Sequence, residues 1–474
     1  MTIPLPWLSV ELFACAWILV LLAADLLLPE ARKASLWLWT LAGLGICAIL
    51  LAGQAIAGGH HLIQQMFLVD PFSRFFKALF LGTAAVVVVM TRPFGRHLAG
   101  RLGAFYLLLF TAVLGMLVLA SVHDLLMLFL GLELLTFSLY IMAAYLRTEA
   151  RSIEAGMKYL ILGSLSSGFL VYGMALLYGF AGSTHFEAIR HAFEVGPVPP
   201  IAVAGLLLVM AGLGFKIAAV PFHLWVPDVY EGAPTPVVAL LSVGSKTAGV
   251  VALTRLLFGA APTMAGLWTN VLAGLSAATM LYGNLGAIPQ TNIKRLLGYS
   301  SIGHAGYLLM GLSAGSQSGV EAVSFYLVAY FVSNLAVFLA VTWAGEQLGS
   351  DELEQYNGLS KRSPFLAAAL FIGFLSLAGV PPLAGFVGKL FVMLRAVESG
   401  RLWLVAIGAV NVAISLYYYL MVIKRMYLDA PPTSTTFRLD RLATVTLSLL
   451  LLGVLWLGIV QEPLVRQILV SVRP

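Results

Sequence analysis

The chain has 474 residues, of which 60% are hydrophobic and 10% charged, with a formal net charge of +6. A soluble domain carries about 25% charged residues, so a water-soluble fold is excluded and the apolar runs must lie in lipid. The basic residues sit in short loops, which removes nucleic acid as the reason for the positive balance. The 2 cysteines, Cys15 and Cys47, fall in apolar runs and exclude both a protein-held iron–sulfur cluster and a disulfide framework.

A membrane-spanning helix needs about 20 apolar residues. Spans are predicted over 8–28, 36–58, 67–90, 102–121, 125–146, 157–180, 199–223, 237–258, 266–288, 296–314, 320–346, 364–397, 402–427 and 441–461, about fourteen in all. The first run lacks a basic flank and a small-residue cleavage site, so it reads as a helix rather than a signal peptide. The twelfth is too long for one span and is interrupted at Pro381 and Pro382. The seventh is broken at Pro221. The expected fold is therefore all-α and polytopic, one membrane domain over 1–474. It divides into three N-terminal helices (1–101), two five-helix units (102–260 and 261–428) and a C-terminal helix (429–474).

Loop charge sets the orientation. Arg32, Lys33, Arg92, Arg96, Arg101, Arg147, Arg151, Lys294, Arg295, Lys361, Arg362, Arg425, Arg438 and Arg441 fall in alternate loops, whereas the other side holds little beyond Arg190 and Arg401. The positive-inside rule then places both termini on the outer side. The two units repeat each other. Glu154-Ala155-x-x-x-Tyr159-Leu160 recurs as Glu321-Ala322-x-x-x-Tyr326-Leu327, an offset of 321 − 154 = 167. Leu114-Gly115 and Leu125-Leu126 recur at an offset of 285 − 114 = 171, which carries Glu133 onto His304. An odd number of helices per unit inverts the second unit, and a broken helix in each is a transporter architecture.

The chemistry lies where charge interrupts these runs. Lys216 and Lys246 flank a stretch with four prolines in sixteen residues: Pro221, Pro227, Pro234 and Pro236. Pro221 removes helix partners from carbonyls near Lys216, and those carbonyls can solvate an ammonium. Lys246 stands mid-span beside Ser245 and Thr247. Lys389 follows the second break, and Glu133 stands mid-span in its own helix. Ionisable groups inside a membrane are functional by default, although each could serve as a structural ion pair instead. Burial favours a neutral lysine and a nearby carboxylate favours the charged one, so a Glu133–Lys216 contact that forms and breaks would make a proton switch. His223 and His304 suit relay roles. Lys158 is a further candidate, or simply the i,i+4 partner of Glu154. His60-His61 lacks further ligands, so no metal site is predicted, and no cofactor-binding motif is found.

At Gly131-Leu-Glu133-Leu-Leu, Glu154-Ala-Gly-Met-Lys-Tyr-Leu160, FKIAAVPFHLWVPDVYEGAPTPV, GSKTAG and AGVPPLAGFVGK the chain resembles the antiporter-like membrane subunits of respiratory complex I, the proton-pumping NADH:quinone oxidoreductase. Within that family it is most similar to the subunit N branch, the counterpart of mitochondrial subunit 2. The resemblance implies a translocase subunit of the bacterial inner membrane with no redox centre of its own. Glu133, Lys216, Lys246 and Lys389 would form the proton relay, driven by quinone reduction elsewhere. NADH, FMN, iron–sulfur clusters and quinone would belong to other subunits. The implied partners are a neighbouring antiporter-like subunit, small membrane subunits and lipids. The alternatives are a subunit of a multi-subunit sodium/proton antiporter, which shares the lysine and glutamate pattern, and an assembly scaffold whose charges are only ion pairs.

Overall fold

The computed structural model describes residues 5–95, 101–432 and 436–472; Arg96, counted above among the basic loop residues, lies outside them. Among the described residues, 12 helices are long and apolar enough to cross a membrane. The first is α1 (Ser9–Leu27), followed by α2 (Leu36–Ala57). A short antiparallel hairpin of β1 (His61–Ile63) and β2 (Phe67–Val69) precedes α3 (Pro71–Phe94). Then come α4 (Leu102–Ala120), α5 (Leu125–Ala143), α6 (Ala150–Ala181), the surface helix α7 (Phe186–Val195) and α8 (Pro200–Ile217). After a break come α9 (Val226–Gly232), α10 (Thr235–Leu240) and α11 (Lys246–Gly259). The rest is α12 (Ala265–Ala287), α13 (Ile293–Ser313), α14 (Gln317–Leu348), α15 (Pro364–Ala378), α16 (Ala384–Glu398), α17 (Leu402–Leu428), α18 (Arg441–Ile459) and α19 (Glu462–Ser471).

Three departures from the predicted spans have local causes. The third begins at Pro71 rather than 67, because Phe67–Val69 pairs with β1 and Asp70 caps the helix in a reciprocal box with Ser73. The sixth begins at Ala150 rather than 157. Its polar first turns are held by ion pairs from Arg151 and Lys158 to Glu231 and Asp228, so the helix outruns its apolar stretch. The seventh stops at Ile217, where Ala218 turns left-handed (φ 68°). A further irregularity escaped periodicity altogether: Leu241–Ser245 forms a π-helical turn between α10 and α11.

The stretch Thr235–Gly259 is buried except at Arg255, Phe258 and Gly259, which are partly buried, and forms the centre of the molecule. Helices α12 and α13 cross where a Cβ on Gly283 would stand 2.3 Å from the Gly303 backbone nitrogen. Only glycine permits that approach, and it sets the face of α13 that carries Ser301 and His304 toward the centre. In the second break, Gly379 adopts φ 89° and its missing side chain leaves room for Lys389, whose Cδ would lie 3.0 Å from a Cβ there.

Candidate functional site: a buried line of charge

Glu133 lies on α5, half-buried, between the exposed Leu130 and Phe137. Ser167 on α6 donates to its Oε1 at 2.5 Å. One helical turn further on, Thr136 accepts from the Lys216 ammonium at 2.9 Å while donating to the Leu132 carbonyl. Lys216 is buried and donates a second bond to the Tyr159 hydroxyl at 3.2 Å. The predicted Glu133–Lys216 pair is thus not a direct contact: no ion pair within 4.0 Å joins them among the described residues, and each charge has its own hydroxyl partner. The cause is the helical register of α5, which points Thr136 inward at Lys216 and leaves Glu133 on the flank toward α6.

The break beside Lys216 is closed by aromatic groups. Trp225 donates its indole N–H to the Phe215 carbonyl at 3.1 Å, a second donor beside the Ala218 N–H at the end of the interrupted helix. Tyr159 stacks on Trp225 with ring centroids 4.5 Å apart, which fixes its hydroxyl at the lysine. The stem of Lys216 packs against Gly249 on α11, three residues after Lys246; a Cβ at Gly249 would be 3.3 Å from Lys216 Cβ.

Lys246 follows the π-helical turn directly. Such turns widen the helix and free backbone groups, and they recur at functional sites. Its ammonium, buried, donates to both the carbonyl and the hydroxyl of Ser301 on α13. The Ser301 hydroxyl also meets Tyr230 at 3.0 Å and Tyr330 at 3.2 Å, and Ser242 in the π-helical turn bonds Tyr330 at 2.8 Å. One turn along α13, His304 Nδ1 and the Tyr326 hydroxyl are 2.6 Å apart. A turn further, the Tyr307 ring lies 4.9 Å from the Lys389 ammonium. Lys389 itself donates to the Ala378 carbonyl at 2.9 Å, so the second half of the broken helix satisfies the end of the first. The two breaks each contain a cis peptide bond before proline, at Val220-Pro221 and Pro381-Pro382.

Two predicted relay residues stand apart. His223 is buried in the first break, but neither ring nitrogen has a hydrogen-bond partner among the described residues, and its ring meets Tyr282 edge-on at 4.1 Å. Lys158 is partly exposed and belongs to a polar cluster, paired with Glu154 and Asp228 at 2.6 Å each. Arg295 joins that cluster through Asp228 at 2.6 Å and Glu231 at 2.9 Å. Lys158 therefore makes the i,i+4 pair expected of it and does not touch the lysine line.

The sequence reading missed the hydroxyls. Ser167, Thr136, Tyr159, Ser301 and Tyr326 look like ordinary helix residues until the helices are assembled. Two signals were present: Ser301, His304 and Tyr307 recur every three residues on one face of α13, and Tyr159 and Tyr326 align in the internal repeat. A second intramembrane pair also went unseen. Lys77 on α3 and Glu11 on α1 are buried and 2.7 Å apart.

A polytopic helical fold with amines buried along a line between two broken helices defines an integral membrane protein of the antiporter-like class. Residues 122–415 match the family described as NADH:quinone oxidoreductase/Mrp antiporter, TM, and the chain belongs to that family. A relative from Moorella thermoacetica, named NADH-quinone oxidoreductase subunit N, is 42% identical over 458 residues, covering 96% of each chain. One of the same name from Paramagnetospirillum magneticum is 40% identical over 465 residues, covering 96% of this chain and 94% of that one. Among solved structures, a chain of respiratory complex I from Thermus thermophilus with bound aureothin superposes with a TM-score of 0.83 at 33% identity. It covers 96% of this chain and 98% of that chain. A chain of the Mrp complex from Dietzia shares the fold at 21% identity, with a TM-score of 0.83 and coverage of 99% and 97%.

Proposed function

We propose that the chain is the subunit N type of proton-translocating module in a bacterial NADH:quinone oxidoreductase, seated among the other membrane subunits of that complex. The observation that carries this reading is the line of three buried ammonium groups, Lys216, Lys246 and Lys389, each held by neutral oxygens rather than by a carboxylate. A lysine held this way can lose and regain its proton without breaking an ion pair. Protons would pass from the Glu133–Ser167 side through Thr136 and Lys216 to Lys246, and by Ser301, His304 and Tyr326 to Lys389. Pro221, Pro381 and Pro382 hold the breaks open. His223 and Lys158 are assigned secondary roles at the margin of the path.

The reading extends to topology. The 21 residues of α13, almost all buried, and the α15–α16 pair supply two further spans, which brings the count to fourteen. Helices α4–α11 and α12–α17 form two inverted units, and the aligned tyrosines 159 and 326 both reach the buried line, which supports that pairing. Both termini are placed on the outer side of the inner membrane. The chain is assigned no redox group; NADH, FMN, iron–sulfur clusters and quinone belong to other subunits.

The test is Lys246→Ala in the assembled complex, reconstituted in vesicles. NADH oxidation and vesicle acidification are measured together. Translocation is expected to fall at least about tenfold, the size of a lost charge-assisted contact, with assembly intact. Normal acidification by the variant would overturn the reading, as would sodium-driven pH changes by the chain in vesicles without NADH or quinone.

A further inference from the structure

The face of the molecule made by α2, α3, α14 and α19 carries a groove of about 880 Å³. It runs from Leu41 to Ala55 along α2, fourteen steps or about 21 Å at 1.5 Å per residue. That exceeds the roughly 15 Å of hydrocarbon in one leaflet. Its lining is apolar: small side chains recur at helical spacing, Ala48 and Ala52 on α2 and Ala78 and Gly82 on α3, beside larger ones such as Phe75 and Phe331. Helix α19 closes one end, with Leu464 buried and Gln467 exposed at the mouth.

At that same end stands Arg74. It is 8% exposed and lines the groove, yet no carboxylate lies within 4.0 Å of it among the described residues. Asp70, four residues before it, has both carboxylate oxygens committed to Arg255, at 2.5 and 2.8 Å. Among the described residues, the side-chain bonds of Arg74 are long ones from Nη1 to the carbonyls of Gln54 (3.4 Å) and Gly59 (3.3 Å). A guanidinium left with free donors at the head of an acyl-sized groove matches an anion that brings its own hydrocarbon.

We propose that this groove binds a glycerophospholipid with an anionic headgroup, its phosphate on Arg74 and its acyl chain between α2 and α3. A neutral apolar helix from a partner subunit would fill the walls but leave Arg74 unpaired. A zwitterionic lipid would carry a competing ammonium to the same place. The site lies between the N-terminal helices α2 and α3 and the later helices α14 and α19, and Lys216, Lys246 and Lys389 are not among its lining residues.

The experiment uses the assembled complex with two photoreactive lipids, phosphatidylglycerol and phosphatidylcholine, each carrying a diazirine at mid-chain. Adducts are mapped by mass spectrometry. Phosphatidylglycerol is expected to label α2 and α3 peptides about fivefold more than phosphatidylcholine, the discrimination one basic residue supplies at a membrane surface. Arg74→Gln should bring the ratio to about one, Arg74→Lys should restore it, and Ala52→Trp should abolish both labels. Equal labelling of the wild-type complex by the two probes would overturn the proposal. So would capture of a protein subunit, rather than lipid, by benzoylphenylalanine at position 52. The wild-type comparison decides the matter even if Arg74→Gln fails to assemble.

Discussion

An ammonium in the membrane interior costs at least about 2.5–3.5 kcal/mol on insertion scales, so the partners of Lys246 decide whether it is tolerated. Ser301 gives it a carbonyl and a hydroxyl, and that hydroxyl is shared with Tyr230 and Tyr330. Ser301→Ala keeps the carbonyl and removes the hub. A hydrogen bond to a charged group is worth about 1.5–3 kcal/mol, so proton translocation should fall about tenfold or more while the complex still assembles. Vesicle acidification at matched NADH oxidation measures this. An unchanged ratio of protons to electrons would remove Ser301 from the path. The lysines themselves were legible in the sequence, because a charge within twenty apolar residues stands out by composition alone. Ser301 was not, since serine is common in membrane helices and its value here comes from a partner 55 residues away.

The helices confirm how local signals and long-range ones divide. The prolines announced that the seventh and twelfth spans are broken, although α8 already ends at Ile217, before its predicted 223, whereas the π-helical turn before Lys246 left no mark in hydrophobic periodicity. The start of α6 was misjudged for the same reason: its first turns are polar and are held by a different element. That contact yields two predictions. Asp228, on the short helix α9 beyond the spanning segments, is partly buried, which by itself raises its pKa, but hydrogen bonds from Lys158 and Arg295 outweigh this and hold the carboxyl below its ordinary range. A carboxylate whose folded pKa is depressed contributes stability above its unfolded value, near 3.9, and loses it as pH falls through the lower folded value. Asp228→Asn should lower the melting temperature at neutral pH by an amount equivalent to about 1 kcal/mol, given the partial exposure, and the gap to wild type should close in strong acid. A gap that persists unchanged into acid would show that charge is not its source. At the α12–α13 crossing, Gly283→Ala forces a Cβ into the Gly303 backbone. Overpacking of this kind costs about 1–3 kcal/mol, so the variant should melt lower and pump less through displacement of the α13 face; wild-type melting would refute the close crossing.

At the scale of the whole molecule, the N-terminal helices are more than a lipid-facing flank. Helix α3 packs against α10, the π-helical turn and α14, and so touches the central element directly. Its Lys77 is fully buried and paired with Glu11 on α1 at 2.7 Å, with the Phe67 ring 5.0 Å away. This pair ties the first helix to the one that supports the centre. Removing one partner of a buried pair leaves the other charge uncompensated and costs about 3–5 kcal/mol. Glu11→Gln or Lys77→Met alone should therefore reduce the assembled fraction sharply. The exchange Glu11→Lys with Lys77→Glu restores opposite charges across the same contact and should recover assembly and most of the melting temperature. Pumping separates the two roles open to the pair. If it serves only to hold α1 on α3, the exchanged protein pumps at the wild-type ratio of protons to electrons. If the pair also sets the field at the central lysines, reversing its dipole shifts the pH at which pumping is half-maximal while assembly stays intact. Glu11 lies 66 residues before Lys77 in the chain (77 − 11 = 66), a separation no local pattern bridges. The architecture predicts the first outcome, because no described side-chain bond runs from Lys77 to Ser242, Lys246 or Ser301.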